Sequence, residues 1–385
     1  MRLLIYFISF LLFHPLSAHS ALQDIPDAVK SKIAPPSIDA SSWLVADFET
    51  GWVLAGKNTD QRIEPASLTK LMTSYLVFEA LRNNEITMQD RVYISEKAWR
   101  TGGSKMFIEV GARVSVLDLI QGLIVQSGND AGVALAEHID GSEQGFASRM
   151  NLMAAELGMT NTNFTNSSGI PEDNHYSTVE DMTLLSMALI RKFPELYRYY
   201  SQSEFTYNDI TQQNRNILLT RDPTVDGIKT GYTKNAGYGF IGTALRDGMR
   251  LVAAVTGSSG KVARADQVQS LLQYGYGAYE GLIAYQAGTE IKSLPLWFGE
   301  TSQASIGVLK KLSVIFPKGK SDKLSATLEL PASLEAPIAA GAPVGYIQVK
   351  YDQQPIYRTS LQVNESYAEG PWHKRILDYI KQLIF

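Results

Sequence analysis

Residues 64–75 read EPASLTKLMTSY, and this stretch decides the first fold element that the sequence predicts. Its apolar side chains recur at steps of three and four, a spacing typical of a buried helix. They are Leu68, Leu71, Met72 and Tyr75, and Leu76 continues the pattern directly after the stretch. Ser67 then lies at the helix N-terminus, and Lys70 follows one turn later on the same face. Free backbone N–H groups at that terminus favour a developing oxyanion.

A second pattern, SGN at residues 127–129, lies between two apolar segments with helical spacing, residues 116–125 and 130–138. A polar loop between two packed helices can direct Ser127 and Asn129 into a cleft. Taken alone, the tripeptide is an ordinary turn sequence.

A third pattern, KTG at residues 229–231, precedes a run of strand-forming residues that reaches a turn at residues 246–248. This context predicts an edge strand that contains the triplet and is backed by a hairpin. Another Ser-x-x-Lys occurs at residues 258–261, so a single match has little weight. The order of all three patterns along the chain is what distinguishes a functional set from chance matches. We interpret residues 258–261 as a solvated loop.

Together the patterns supply a nucleophile, two proton carriers, an amide clamp and a cationic site. These parts suit acyl transfer through a serine ester on a substrate that ends in a carboxylate. A serine hydroxyl needs a base, and no histidine is placed to serve, which leaves Lys70. A lysine acts as a base only when burial or a nearby cation disfavours its ammonium form, and Lys229 is the natural cation.

The chain resembles the low-molecular-mass penicillin-binding proteins of the D-alanyl-D-alanine carboxypeptidase family. The likeness includes residues 64–75, 126–131, 225–233 and an NRN tripeptide at 214–216, and it runs from about residue 40 to the C-terminus. The resemblance implies an α+β fold. A penicillin-binding, β-lactamase-like transpeptidase domain, built as an antiparallel sheet with helices on both faces, would precede a small β-rich domain and a terminal amphipathic helix.

The same resemblance implies a serine-type D-Ala-D-Ala carboxypeptidase that removes the terminal D-alanine from peptidoglycan pentapeptide and is acylated by β-lactam antibiotics. Ser67 would be the nucleophile, Lys70 its base and Ser127 the proton relay to the leaving nitrogen. Asn129 would hold the substrate amide. The other substrate-binding residues would bind the terminal carboxylate or complete an oxyanion hole with the Ser67 N–H: Arg215, Lys229, Thr230, Gly231 and Tyr232.

The first 20 residues predict a cleaved signal peptide, since a basic residue and a short apolar run precede small residues. We therefore expect an exported protein at the periplasmic face of the inner membrane. The chain has no cysteine, so its fold cannot depend on disulfides, and 35 basic against 39 acidic residues give no electrostatic case for nucleic acid. Five scattered histidines lack metal-binding spacing, so we expect neither metal nor cofactor.

Alternation and composition divide the rest of the chain. We expect a hairpin from strands at 42–47 and 52–55 within a catalytic domain at 21–285, and a β-rich domain at 290–368. The strands predicted for the second domain are residues 308–316, 326–330, 344–351 and 355–363.

Residues 371–385 predict a membrane-anchor helix that lies in the plane of the membrane. Its apolar side would hold Trp372, Ile376, Ile380, Leu383 and Ile384. A terminal helix docked on the protein's own core is the alternative.

Two other functions remain open. A serine β-lactamase uses the same three patterns, but its best-known class needs a separately placed glutamate. Glu172 lies in the appropriate stretch, although the residues around it do not form the expected Glu-x-x-Leu-Asn pattern. A non-catalytic penicillin-sensing or wall-binding module that has kept the fold is the other alternative.

Overall fold

The computed structural model describes residues 22–384, so the signal peptide predicted for residues 1–20 lies outside the described residues. The α-helices are α1 (Lys70–Arg82), α2 (Glu96–Arg100), α3 (Val116–Gln121), α4 (Asn129–Asp140), α5 (Glu143–Glu156), α6 (Val179–Lys192), α7 (Pro194–Tyr197), α8 (Leu218–Arg221), α9 (Lys261–Ala278) and α10 (Trp372–Ile384). Short 3₁₀ turns span Asp27–Val29, Ala66–Thr69, Arg198–Ser201 and Ser321–Lys323, and a π-helical turn spans Gly122–Gln126.

The strands are β1 (Gln23–Asp24), β2 (Ser42–Asp47), β3 (Trp52–Lys57), β4 (Arg91–Tyr93), β5 (Arg113–Ser115), β6 (Glu204–Tyr207), β7 (Ile210–Gln213), β8 (Val225–Thr233), β9 (Gly237–Arg246), β10 (Met249–Ser258), β11 (Tyr279–Tyr285), β12 (Glu290–Trp297), β13 (Gln303–Gly307), β14 (Leu312–Pro317), β15 (Leu324–Glu329), β16 (Leu334–Glu335), β17 (Pro343–Tyr351) and β18 (Gln354–Val363).

A six-stranded sheet in the order β1-β3-β2-β10-β9-β8 forms the centre of the N-terminal part. Its pairs are antiparallel except β1 with β3. The predicted hairpin is confirmed as β2 and β3, and the KTG triplet lies on β8 at the sheet edge, as predicted. Strand β10 is buried almost throughout, as its continuous apolar run requires when helices cover both faces of a sheet.

Helix α1 is enclosed on nearly every side, because the segments around it belong to one apolar cluster. Serine and threonine caps start three of the neighbouring helices: Ser115 for α3, Ser142 for α5 and Thr178 for α6. Such caps bind backbone N–H groups that the first helical turn leaves unpaired, and they fix where each helix begins.

One predicted helix is wrong in its detail. Residues 116–125 do not form one α-helix, because α3 ends at Gln121 and a wider π-helical turn follows. A Cβ on Gly122 would lie 2.3 Å from Met106 Sδ, so the chain approaches Met106 closely where the helix changes. π-Helical turns of this kind are frequently found at functional sites.

The C-terminal part is β-rich, as predicted, and holds a two-stranded sheet, β11-β14, and a six-stranded sheet in the order β15-β17-β18-β13-β12-β16. The four predicted strands correspond to β14, β15, β17 and β18. Strands β11, β12, β13 and β16 were not predicted, nor were the hairpins β4-β5 and β6-β7. The two hairpins are short and largely exposed, so they lack the apolar alternation on which the prediction depends.

Helix α10 contacts the β-rich part through its polar edge. Asp378 is buried and its carboxylate accepts a hydrogen bond from the Phe298 N–H at 3.0 Å, while Lys374 Nζ donates to the Thr301 carbonyl at 2.8 Å. The large apolar side chains are exposed: Trp372, Ile376, Leu377, Tyr379, Ile380 and Leu383. None of the helices described within residues 22–384 is long and apolar enough to cross a membrane.

Two glycines near the end of α9 test how tightly this helix packs on the sheet. A Cβ on Gly275 would lie 2.4 Å from Cδ1 of the buried Leu251, whereas a Cβ on Gly277 would meet nothing within 4 Å. Gly275→Ala should therefore destabilise the protein by about 1–3 kcal/mol, since overpacking displaces a core side chain. Gly277→Ala should stabilise it by about 0.5–1 kcal/mol through helix propensity.

Urea unfolding of residues 21–385 measures both effects. Midpoints that move in the same direction would contradict close packing of α9 on β10.

Candidate active site

Ser67 lies in the 3₁₀ turn Ala66–Thr69, which leads directly into α1. The turn is sharp, because Ala66 has a φ of 49°, an uncommon value for a residue with a side chain. The α-helix itself begins at Lys70, three residues later than the prediction placed its N-terminal serine. The spacing still brings the two side chains together, with Lys70 Nζ 3.1 Å from Ser67 Oγ.

The amino group of Lys70 is buried and faces two oxygen atoms that can only accept hydrogen bonds. It donates to Asn129 Oδ1 at 2.6 Å and to the Ser168 carbonyl at 2.5 Å. A neutral amine has two N–H groups for these acceptors, and its lone pair remains for the Ser67 hydroxyl. Burial and, secondly, the charge of Arg215 lower the pKa of Lys70 to about 7. Geometry and electrostatics therefore both favour a base.

Ser127 is directed into the cleft by its backbone. It has left-handed dihedral angles, φ 64° and ψ 37°, immediately after the π-helical turn. The Gly128 N–H donates to the Gly122 carbonyl at 2.9 Å and closes this wide turn. Helix α4 then begins at Asn129, so the SGN tripeptide forms the predicted break between two helices.

Lys229 reaches Ser127 from the opposite wall of the cleft. Its Nζ donates to Ser127 Oγ at 2.8 Å and to the Thr230 carbonyl at 3.2 Å. Burial lowers the pKa of Lys229 well below the usual lysine value, and the charges of Lys70, Arg215 and Arg264 lower it further. The repulsion between neighbouring positive charges therefore disfavours the ammonium form of Lys229 in addition to burial.

No carboxylate among residues 22–384 forms a direct contact with the amino group of Lys70 or Lys229. Asp130, which follows the SGN tripeptide, is instead bonded to backbone. Its carboxylate accepts from the N–H groups of Met106 and Phe107, each at 3.0 Å. Asp130 thereby holds the segment whose earlier residues, Gly102 and Gly103, lie next to Asn129.

Asn129 lies between Lys70 and this segment. Its Oδ1 accepts from Lys70, and its Nδ2 donates to the Gly102 carbonyl at 2.7 Å. The sequence assigned Asn129 to the substrate amide. The structure gives it a second task, which is to orient the amino group of Lys70.

Arg215, Thr230, Gly231 and Tyr232 line the cleft in front of Ser67, which has a volume of about 1100 Å³. Tyr232 is half exposed at the rim, and its ring lies 4.4 Å from that of Tyr238. Of the described residues that line this cleft, none is acidic. The cleft is therefore cationic and suits an anionic ligand.

Arg264 is a cleft residue that the sequence analysis missed. It is buried near the start of α9 and donates to the carbonyls of Gly231 and Gly239 at 2.8 and 3.2 Å. Burial and the charge of Arg215 lower its pKa to about 10. No pattern marks this arginine within an 18-residue helix, so only the packing of α9 behind β8 brings it to the site.

Residues 166–169 touch the turn Ala66–Thr69 and were also not predicted from the sequence. Because this turn contains Ser67, the predicted nucleophile, we call it the nucleophile turn. A Cβ on Gly169 would lie 1.7 Å from the Ala66 carbonyl oxygen, and Gly169 has a φ of 80°. On the other side, a Cβ on Gly231 would lie 3.1 Å from the Pro65 carbonyl. The turn is therefore held between two segments that approach it without side chains.

The interpretation of residues 258–261 as a solvated loop is wrong for Ser258. This residue ends β10, is buried, and donates its hydroxyl proton to Gln267 Oε1. Lys261 is exposed and begins α9. Ser258 is enclosed because it still belongs to the strand, and two further residues, Ser259 and Gly260, lead to the helix.

Comparison with known proteins gives consistent matches. The sequence profile of the D-alanyl-D-alanine carboxypeptidase family matches residues 29–260, and that of the C-terminal domain of penicillin-binding protein 5 matches residues 279–369. D-alanyl-D-alanine carboxypeptidase DacC of Escherichia coli is 39% identical over 92% of this chain and 90% of its own length. DacA of the same organism is 40% identical over 90% and 88%.

Solved structures agree. Penicillin-binding protein 5 of Haemophilus influenzae has a TM-score of 0.81 at 39% identity, covering 88% of this chain and 100% of that one. Penicillin-binding protein D2 of Listeria monocytogenes, solved in an ampicillin-bound form, has a TM-score of 0.58 at 33% identity, covering 63% and 100%. The family profile alone spans more than half of the residues and includes Ser67, Ser127 and Lys229. The chain therefore belongs to the D-alanyl-D-alanine carboxypeptidase family of serine peptidases.

Proposed function

We propose that this chain hydrolyses the bond between the two terminal D-alanines of peptidoglycan pentapeptide through an ester on Ser67. The observation that supports this best is the contact of 3.1 Å between Ser67 Oγ and Lys70 Nζ, in a cleft that holds cations and, among the residues described, no carboxylate. Such a cleft binds a substrate through its terminal carboxylate and activates the serine with a neutral amine.

In the first step, Lys70 accepts the Ser67 proton as Oγ attacks the carbonyl carbon of the penultimate D-alanine. The N–H groups of Ser67 and Tyr232 would stabilise the oxyanion. The amide C–N bond then breaks as Ser127 gives its proton to the departing nitrogen, with Lys229 bonded to its hydroxyl at 2.8 Å. The proton that Lys70 took from Ser67 then replaces the one lost by Ser127, so Lys70 is again a neutral amine. Water next attacks the ester carbonyl carbon and gives its proton to Lys70, which returns that proton to Ser67 Oγ as the ester C–O bond breaks.

The terminal carboxylate of the substrate would lie against Arg215, Thr230 and Lys229, where charge-assisted hydrogen bonds are available. Gly231 lets the backbone of β8 lie close to the turn that carries Ser67, since a Cβ there would lie 3.1 Å from the Pro65 carbonyl oxygen. Asn129 would contact the substrate amide through the edge that does not hold Lys70.

We further propose that β-lactam antibiotics acylate Ser67, because a β-lactam also presents a strained amide next to a carboxylate. The Listeria protein with ampicillin bound, at 33% identity, supports this. A role as a β-lactamase is less well supported. Glu172 is exposed and does not line the cleft, so no described carboxylate stands ready to hydrolyse the lactam ester. A non-catalytic module is disfavoured by the intact contact between Ser67 and Lys70.

The division of the chain supports a location for the enzyme. We propose residues 1–20 as an export signal, residues 21–285 as the catalytic domain, residues 290–368 as a spacer or partner platform, and residues 371–385 as an anchor. The mature protein would then lie at the periplasmic face of the inner membrane, next to the cell wall.

Membrane attachment is proposed from the orientation of α10. Its polar edge contacts the β-rich part, while its apolar face is left to the outside. Lys381 is exposed near the end of this helix and would add attraction to anionic lipid.

The nucleophile can be tested by labelling. The mature protein should form a stable adduct with a fluorescent penicillin, and Ser67→Ala should abolish it because no ester can form. Ser258→Ala, a change in the other Ser-x-x-Lys, should retain at least half of the labelling. Gel fluorescence and peptide mapping measure the adduct, and a label on any residue other than Ser67 would contradict the assignment.

The same protein preparation can be used to test whether the chain acts mainly as a peptidase or as a β-lactamase. With a muramyl pentapeptide and nitrocefin as parallel substrates, D-alanine release should be the faster reaction, and Ser67→Ala should stop both. Nitrocefin hydrolysis that outpaces D-alanine release would favour the β-lactamase.

The two lysines have different proposed roles: Lys70 must be a neutral amine to act as a base, whereas Lys229 acts as a cation. The acylation rate should rise with pH through about 7 as Lys70 becomes neutral. Lys70→Arg should abolish acylation, since a guanidinium does not deprotonate in a protein. Lys229→Arg retains a cation and should keep more activity. Second-order acylation rates between pH 5 and 9 measure this, and equal losses in the two variants would show that the base lies elsewhere.

The proposed anchor can be tested with a matched pair of substitutions. Leu383→Glu places a charge on the exposed face of α10, and Leu152→Glu places it on the surface of α5, where leucine is similarly exposed at 68% against 71%. Leu383→Glu should weaken binding to anionic vesicles at least tenfold, because burying a charged group in the membrane interface is unfavourable. Leu152→Glu should bind like the unchanged protein.

Deletion of residues 371–385 should abolish binding to the vesicles. The rate of D-alanine release from a soluble peptide should stay within twofold of that of the full-length protein. Sedimentation with vesicles measures binding. Equal binding by both leucine variants would show that α10 is not the anchor.

A further inference from the structure

The segment formed by residues 165–175 bonds to the nucleophile helix at successive positions of one face. Thr73 Oγ1 donates to the Ser167 carbonyl at 2.6 Å. One turn earlier, Lys70 Nζ donates to the Ser168 carbonyl at 2.5 Å. The place of the Ser168 carbonyl therefore determines where the amino group of Lys70 stands relative to the serine.

His175 makes a further bond, and its surroundings define its tautomer. The Thr165 N–H donates to Nδ1 at 3.0 Å, so Nδ1 has no proton and the neutral ring must be protonated at Nε2. Nε2 lies 2.8 Å from Thr69 Oγ1 and donates to it. The ring is buried and packs edge-on against Phe164, with centroids 5.9 Å apart. The bond to Thr69 thus joins the C-terminal end of the segment to the residue directly before Lys70.

The opposite end of the segment is held independently. Asn166 Oδ1 accepts from the Gly169 N–H at 2.7 Å, and Glu143 Oε1 accepts from the Ser167 N–H at 3.0 Å and from its hydroxyl at 2.7 Å. These bonds shape residues 166–169 but do not reach the nucleophile turn. Within residues 165–175, His175 is the residue whose side chain forms a hydrogen bond to that turn.

We propose that His175 is a positioning residue that holds the Ser168 carbonyl against Lys70 by tying residues 165–175 to Thr69. A protonated ring would turn Nδ1 into a donor facing the Thr165 N–H and would leave that N–H without its acceptor. The charged groups that act on the ring are Glu143 on α5, Glu64 before the nucleophile turn and Lys70 on α1. Burial nevertheless lowers the pKa of His175 to about 4, so the ring is neutral where the enzyme would work.

Two substitutions at His175 distinguish the role of the Nε2 bond from that of the Nδ1 bond. His175→Gln places an amide near the Nε2 position and can still donate to Thr69. His175→Asn places an amide near the Nδ1 position, where it can accept from Thr165 but cannot reach Thr69. With a fluorescent penicillin, His175→Gln should acylate within about threefold of the unchanged protein. His175→Asn should lose about tenfold, as expected for one hydrogen bond.

The pH profile gives a readout that a merely structural role would not move. If Ser168 no longer holds Lys70, the amine is better solvated, and the midpoint of the acylation profile should rise in His175→Asn but not in His175→Gln. Phe164→Leu is the control, since it loosens the same core without touching a hydrogen bond to Thr69. It should lower the thermal unfolding midpoint and leave the pH midpoint unchanged.

Thr69→Val removes the hydrogen bond between Thr69 and His175 from its other end. Its acylation rate and pH midpoint should match those of His175→Asn. This variant therefore tests the inference even if a histidine variant does not fold. Equal rates in the Gln and Asn variants, or one pH midpoint in all the proteins, would overturn the inference. The inference rests on the role proposed for Lys70. That role fails separately, if Lys70→Arg still acylates.

Discussion

The Lys70 amino group is enclosed with no direct acidic partner among residues 22–384, and the site depends on this constraint. Lowering the pKa of a lysine from 10.5 to about 7 corresponds to about 5 kcal/mol of unfavourable interaction with the charged form. The rest of the fold must supply that free energy. The burial of α1 on nearly every side, and the apolar cluster around it, explain how an amine with this pKa can persist at the start of a helix.

The same constraint shapes the cleft. A carboxylate close to Lys70 would stabilise its ammonium form, and Asp130, the nearby acid, is bonded to the N–H groups of Met106 and Phe107 rather than to an amine. The residues that line the cleft accordingly include arginines and hydroxyls but, in the described part of the chain, no acid. Such a surface suits a peptide that ends in a carboxylate. It also lacks a second base of the kind that rapid hydrolysis of a lactam ester requires.

The sequence predicted the parts of the site that lie within short local patterns. A three-residue step on a helix sets the distance between Ser67 and Lys70, and a hairpin sets the place of Lys229, so both followed from periodicity. Arg264 and His175 have no such pattern, because tertiary packing alone brings them to the cleft. The π-helical turn before Ser127 was missed for a related reason: apolar periodicity does not distinguish it from an α-helix, whereas the close approach of Gly122 to Met106 does.

The terminal helix shows why periodicity alone left two alternatives. An amphipathic pattern predicts a helix with one apolar face, and that face could contact either the protein's own core or a membrane. The structure brings the polar edge to the protein, since the buried Asp378 accepts from the Phe298 N–H and Lys374 donates to a backbone carbonyl. These bonds satisfy polar groups of the β-rich part and fix the rotation of the helix about its axis. The apolar face is consequently held outward as one patch. Contiguous exposed patches of this kind are typical of surfaces that bind another protein or a membrane.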